Sequence, residues 1–290
     1  DFSRPEVVDR VHAMMADILS GAKVSYVKWD MNRSITEAYS AALPPDRQGE
    51  VFHRYILGVY DLYERLTSAF PHVLFESCAS GGGRFDPGML YYAPQAWTSD
   101  DSDAAERLKI QYGTSFCYPV VSMGAHVSAV PNHQVNRATP LSTRANVAYF
   151  GTFGYELDLN RLTSEEREQV RAQIAFMKEH RDVIQFGDFY RLLSPFQGNF
   201  TAWMAVSPDR CTALVGWYKT LNEVNGPFRR LRLRGLDPAL CYTVDGTSAH
   251  YGDELMEVGL VTTDSSAGEC RDGQRPSRDF DSHIFVLKAD

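Results

Sequence analysis

The segment Lys28-Trp29-Asp30-Met31-Asn32 closes a run, Val24 to Met31, whose β-branched and aromatic content reads as a strand. Side chains alternate along a strand, so Lys28, Asp30 and Asn32 share one face and Trp29 and Met31 the other. Polar groups gathered at a strand's C-terminal end suit the rim of an α/β barrel. Lys28, two residues away, favours the ionised form of Asp30. An ionised aspartate is either a nucleophile or half of a structural ion pair, and the motif alone favours the ion pair.

A second cluster, Trp97-Thr98-Ser99-Asp100-Asp101-Ser102-Asp103, also follows a strand-like run, Gln95 to Asp100. Three carboxylates within four residues are common in helix-capping loops, and Asp101 or Asp103 could cap the helix expected over Asp103 to Tyr112. Two carboxylate clusters at the same end of two strands of one sheet change the weighting. An ionised Asp facing a second, crowded Asp is the pairing that glycoside hydrolysis requires.

Between them, Glu76 and Cys78 share a face of the strand His72 to Cys78, which runs into Ser80-Gly81-Gly82-Gly83-Arg84-Phe85-Asp86. Three glycines allow close approach of the backbone to a ligand, or simply make a turn. They match neither GxGxxG nor the phosphate-loop lysine pattern, so no nucleotide is expected. The eight histidines include no HExxH and none pairs with a cysteine at metal-ligand spacing. His126 and His133 are read as organising a loop. No GxSxG is present.

These residues need elements to hold them. Val7, Val8, Val11, Met14, Met15, Ile18 and Leu19 follow helical spacing, with Ser3 as the expected cap, Pro5 in the first turn and Gly21 at the end. A second helix is expected over Glu50 to Ala69. Further strands are expected over Thr114 to Met123 and Ala145 to Phe153. Strands alternating with helices predict a parallel sheet. Five such strands fall before Asp158, and a closed eightfold barrel needs three more, which would precede residue 1. A long helix opens at Thr163 or Ser164 and carries on to about Val183. After Pro195, short strands are expected over Phe200–Val206, Cys211–Tyr218, Phe228–Leu233, Cys241–Val244, Leu255–Leu260 and His283–Leu287. Pro208-Asp209, Asn225-Gly226-Pro227 and Asp245-Gly246 punctuate them. The expected domains are therefore 1–194 and an antiparallel β domain, 195–290.

Composition bounds the function. The 290 residues carry 29 basic and 37 acidic side chains, a net charge of −8, which disfavours nucleic acid and anionic membrane surfaces. No apolar run approaches the roughly 18 residues of a spanning helix, so no membrane partner is expected. Five scattered cysteines without a CxxC predict reduced thiols and a cytoplasmic location. A signal peptide upstream of Asp1 is left open.

Four segments together resemble glycoside hydrolase family 36, the retaining α-galactosidases. They are Tyr26 to Arg33, Glu76 to Asp86, Trp97 to Asp103, and Met123-Gly-Ala-His-Val-Ser128. The resemblance implies an α/β chain: a partial (β/α)8 TIM barrel, its C-terminal five βα units, followed by an antiparallel β-sandwich-like domain. It implies Asp30 as nucleophile and Asp100 as general acid/base, 70 residues apart (100 − 30). Asp101 is the runner-up for the acid, which strand parity does not separate from Asp100. Lys28 and Asn32 would hydrogen-bond the sugar, and Cys78, Gly81 and Gly82 would line the galactose pocket. The expected substrate is a melibiose- or raffinose-type α-galactoside, with no metal or other cofactor, and the full-length protein is expected to form a homo-oligomer such as a tetramer. An α-N-acetylgalactosaminidase, a galactosyltransferase of the raffinose-synthase type and an inactive sugar-binding remnant are the alternatives. Complete relatives carry an N-terminal β domain and three earlier barrel strands, so this chain is expected to be a fragment, inactive alone.

Overall fold

The computed structural model describes residues 1–32, 35–223, 229–262 and 279–289. Arg33, the Asn225-Gly226-Pro227 turn, Phe228 and Cys270 lie outside the described residues. The chain divides into two compact units, Asp1–Asp100 and Asp101–Asp290.

In the first unit helix α1 (Pro5–Gly21) begins with Pro5, whose preset φ and missing N–H suit a first turn. Its N-cap is Arg4, without a side-chain cap bond. The expected cap, Ser3, instead donates to Asp1 Oδ1 at 2.6 Å. Helix α2 (Val51–Ala69) buries Tyr55, Val59, Leu62, Tyr63 and Leu66, a stripe at helical spacing. Strands β1 (Tyr26–Asp30), β2 (Leu74–Cys78) and β3 (Gln95–Ala96) form a parallel sheet in that order. The short helix α3 (Pro87–Tyr92) links β2 to β3, capped by Asp86. Val27, Trp29 and Phe75 face the helices and join their core, with Trp29 and Tyr63 rings 4.8 Å apart. Tyr26, Lys28 and Asp30, on the other face of β1, are more exposed than Val27 and Trp29.

The second unit continues the alternation with α4 (Ala104–Thr114), β4 (Gly124–Ser128), α5 (Leu141–Ala148), β5 (Thr152–Glu156) and α6 (Ser164–Phe186). Strands β4 and β5 pair in parallel. Each of these five strands is followed by a helix, the alternation of a partial (β/α)8 barrel, with β1–β3 paired in one sheet and β4–β5 in another. Two expected strands are displaced. Over Thr114–Met123 the chain turns instead, because Pro119 has no N–H to give a ladder and its carbonyl accepts from Ser122 N at 3.0 Å. The strand follows at Gly124. The run Ala145–Phe153 holds the end of α5, a turn at Tyr149–Gly151 and the start of β5. Helix α5 buries six of its eight residues, so it shows no amphipathic period and mimics a buried strand. Thr163 caps α6 in a capping box with Glu166.

A six-stranded antiparallel sheet follows, in the order β11-β10-β13-β8-β7-β6. Its strands are β6 (Asp188–Leu193), β7 (Phe200–Val206), β8 (Thr212–Lys219), β10 (Cys241–Val244), β11 (Ser248–Tyr251) and β13 (Asp281–Ala289). Its first strand thus lies ahead of Pro195, and β11 is a largely exposed strand at one end of the order without an alternating pattern. Over Leu255–Leu260 the expected strand is instead the end of helix α7 (Gly252–Glu257) and the start of β12 (Leu260–Val261), with Gly259 at φ +95° between them. Strand β12 pairs with β9 (Arg230–Leu231).

Both faces of the large sheet are covered. Trp203, Ala205, Leu214 and Tyr218 pack with α5 and α6, while Ala202, Met204, Val206, Ala213, Val215 and Trp217 pack with Leu231, Leu255 and Leu260. Two buried faces explain why β7 and β8 read as continuous apolar runs. Trp203 is fully buried against the rings of Phe150, Phe189 and Tyr218. We expect Trp203→Ala to cost about 3–5 kcal/mol and to lower the urea midpoint of this unit; a midpoint unchanged from the parent would refute the two-faced core.

Candidate active site

The parallel register places Lys28 beside Glu76 and Asp30 beside Cys78, so all four point to the same side of the sheet. Glu76 is in turn paired with Gln95 on β3. On this face Lys28 Nζ lies 3.7 Å from Glu76 Oε1 and 5.0 Å from the centre of the Trp97 ring. Lys28, expected to act on Asp30, thus makes its ion pair across the strands with Glu76.

From Asp30 the hydrogen bonds run through Asn32 to the loop after β2. Asn32 Nδ2 donates to Asp30 Oδ2 at 2.7 Å, and Asn32 Oδ1 accepts from Ser80 N at 2.6 Å. On the other side Cys78 is the cross-strand partner of Asp30. Cys78 is buried, and desolvation with the neighbouring carboxylate pushes its thiol up to about 11. Arg84 ties this tip together by donating to the carbonyl oxygens of Met31 and, at 3.4 Å, Cys78.

Gly81 (φ +78°) brings the Asp100 backbone to this tip. A Cβ at position 81 would stand 2.6 Å from Ser99 Cα and 3.0 Å from Asp100 N. A Cβ at Gly82 would stand 2.9 Å from Thr98 O. The close approach anticipated for a ligand is therefore made, on these sides, by the protein's own backbone. Asp30 and Asp100 are both exposed and stand on either side of the β2 tip.

The three carboxylates of the second cluster separate. Asp103 caps α4, its Oδ2 accepting from Ala105 N at 3.0 Å and Glu106 N at 3.1 Å, and it is paired with Arg137. Asp101 Oδ1 accepts from Asp103 N at 3.1 Å, and its charge acts on the buried Arg107 guanidinium. Both serve the second unit's own structure. His126 is bonded to Glu156 at 3.2 Å. Among the described residues no group of three or more His, Cys, Asp or Glu is arranged to hold a metal.

A cleft of about 360 Å³ opens beside the β2 tip, lined by Ile35, Phe52, Tyr55, Ile56, Ser80 and Arg84 among others. The Melibiase family model matches residues 1–187, and that of the glycosyl hydrolase family 36 C-terminal domain matches residues 200–287. The chain belongs to glycoside hydrolase family 36. It is 56% identical over 289 residues to alpha-galactosidase AgaA of Geobacillus stearothermophilus, covering 100% of this chain and 38% of that protein. Alpha-galactosidase 1 of Pediococcus pentosaceus is 49% identical over 261 residues, 90% of this chain and 36% of that one. A solved AgaA variant in complex with raffinose superposes with a TM-score of 0.93 at 53% identity, covering 100% of this chain and 39% of that chain. Another AgaA variant, in complex with stachyose, matches equally well. The chain spans somewhat over a third of the length of these relatives.

Sequence reasoning on this family 36 chain named Lys28, Asp30, Asn32, Cys78, Gly81, Gly82 and Asp100, and all lie on or beside the β2 tip. It assigned no role to Tyr26 and Arg84, which lie within the resembling segments, or to Gln95. Strand parity was the available signal, since Tyr26 is two residues before Lys28 and Gln95 opens β3. The state of Cys78 is testable. With its thiol at about 11, roughly a hundredfold less thiolate forms at pH 8 than at an ordinary cysteine. Mass spectrometry after iodoacetamide treatment should find the exposed Cys117 and Cys211 alkylated long before Cys78. Equal rates at Cys78 and Cys117 would rule out the buried thiol.

Proposed function

We propose that the protein carrying this chain is a retaining α-galactosidase that cleaves terminal α-D-galactose from raffinose- and melibiose-type galactosides. The observation that carries this is the β2 tip, which is tied to Asp30 through Asn32 and rests through Gly81 on the backbone of Asp100. Retention of configuration needs two carboxylates flanking one bond, one to attack and one to move the proton. The relatives supply the substrate class, since AgaA variants are solved with raffinose and stachyose. In each of those two an aspartate is replaced, and the two replaced positions are as far apart in that chain as Asp30 and Asp100 are here.

Asp30 attacks the anomeric carbon and forms a glycosyl ester while protonated Asp100 gives its proton to the departing glycosidic oxygen. Asp100, now a carboxylate, takes a proton from water; that water attacks the anomeric carbon and displaces Asp30. Two inversions leave the configuration unchanged. Asn32 fixes the plane of the attacking carboxylate and keeps its second N–H for a sugar hydroxyl. Lys28 adds donors beside it. The Cys78 side chain and the loop through Gly81 and Gly82 face the 2-hydroxyl side of the sugar. Asp100 rather than Asp101 is the acid because Asp101 already serves Asp103 N and Arg107.

The roles separate experimentally in the full-length gene product. Asp30→Ala removes the attacking atom and should abolish turnover of every α-galactoside. Asp100→Ala should slow raffinose by about 10²–10⁴-fold while leaving an activated aryl galactoside much less affected, because that leaving group departs without a proton. Equal losses on both substrates would show that Asp100 is not the acid.

A further inference from the structure

Glu76 is a buried carboxylate, 2% exposed, that the two-step mechanism does not use. Its two oxygens are treated differently. Oε2 accepts from the Tyr26 hydroxyl and from Gln95 Nε2 at 3.0 Å, so hydrogen bonds from β1 and β3 fix the plane of the group. Burial and the neighbouring carboxylate raise the Tyr26 phenol, which therefore stays a donor throughout the working pH range. Oε1 is fully buried and accepts no hydrogen bond; the cation facing it is Lys28 Nζ at 3.7 Å.

Lys28 itself lies at the edge of solvent, with a side chain 36% exposed. A lysine has four rotatable bonds and about 2 kcal/mol of rotamer entropy to lose, so a lysine that must meet a substrate needs holding. Here it is held from two sides, by the fixed charge of Glu76 and by the face of Trp97 at 5.0 Å. An ammonium has three donors, and turning one toward Glu76 leaves two aimed away from the buried carboxylate.

We infer that Glu76 is a positioning residue: an anchored anion, oriented by Tyr26 and Gln95, that fixes Lys28 for the hydroxyls of the galactosyl group. This rests on the α-galactosidase proposal only in making Lys28 a substrate contact. Glu76 touches no reacting atom.

A measurement without substrate tests the anchoring itself. In the full-length gene product, brief acylation with a succinimidyl ester followed by mass spectrometry gives the rate at Lys28, with the exposed Lys109 as internal reference. Glu76→Gln, nearly isosteric but uncharged, should speed labelling of Lys28 several-fold and leave Lys109 unchanged. An unchanged ratio of the two rates would overturn the inference whatever the protein's activity. If Glu76→Gln fails to fold, Tyr26→Phe removes one orienting donor from a half-exposed site, and should move Lys28 labelling in the same direction by a smaller factor; no movement there would overturn it equally.

Kinetics on an aryl α-galactoside then link the anchor to substrate. Glu76→Gln should raise KM by about tenfold, a coupling ordinary for contacting residues, with a smaller fall in kcat. Lys28→Met should do at least as much, and it also strands a buried charge, lowering Tm. The double variant should recover part of that Tm yet bind no more weakly than Lys28→Met alone. Additive losses in KM would mean that Glu76 acts on its own, overturning the positioning role. Wild-type protein without α-galactosidase activity would instead sink the functional proposal, leaving the labelling result to stand on its own.

Discussion

The tip of β2 rests against the Ser99–Asp100 peptide because residue 81 has no side chain. A methyl group there would meet Ser99 Cα at 2.6 Å, a distance that carbon atoms do not tolerate, and the loop bearing Asp100 would have to move. The backbone at 81 is also left-handed, which glycine adopts without cost. Ser80, one residue earlier, is left-handed too at φ 50°, and for a residue with a Cβ that costs on the order of 1–3 kcal/mol. Such strain persists where neighbours over-determine it. Here Asn32 Oδ1 takes the Ser80 N–H, so the contact that holds the turn also fixes the residue orienting Asp30. The placement of one carboxylate and the shape of the loop touching the other thus share one set of hydrogen bonds.

Sheet faces determine what the remaining residues can do. In the first unit one face of β1 and β2 is apolar and packs on α1 and α2, while the other carries Lys28, Asp30, Glu76 and Cys78. A carboxylate as buried as Glu76 would be costly alone, and it is tolerated because two donors and a lysine surround it. The six-stranded sheet takes the opposite solution. With α5 and α6 over one face and Leu231, Leu255 and Leu260 over the other, β7 and β8 are nearly all apolar, and Thr201 and Lys219 are their buried polar side chains. That distribution places the candidate chemistry on the parallel strands.

Most of this site was legible from parity and glycine content, because both act over a few residues. Lys28 and Asp30 share a face of β1 as parity predicts, Asn32 lies past the strand's end and bonds back to Asp30, and the Gly81–Gly83 stretch does make the close approach, though to backbone. What could not be read depends on partners distant in sequence. Helix α5 looked like a strand because it is buried nearly all round. Strand β6 was missed because its pairing with β7 decides it, and Arg191 on it bonds to Ser115, 76 residues away. The Lys28–Glu76 pair spans 48 residues and exists only through the register of β1 against β2.

The aspartates at 100, 101 and 103 show how such clusters resolve. In the sequence they are nearly equivalent carboxylates at the end of one strand. Asp103 lies where the first turn of α4 leaves N–H groups without partners, and its Oδ2 takes two of them, a capping role worth about 1 kcal/mol. Asp101, two residues before, accepts from the Asp103 N–H, and its charge acts on Arg107, a guanidinium so deeply buried that desolvation brings it down to about 10. A buried cation in that condition needs a fixed anion, and moving Asp101 would strand it. Asp100 lies one residue too early for either task, and the Gly81 contact pins its backbone while its side chain stays exposed. A residue that must give up and regain a proton in each turnover cannot also cap a helix or neutralise a buried arginine, and of the three only Asp100 has neither duty.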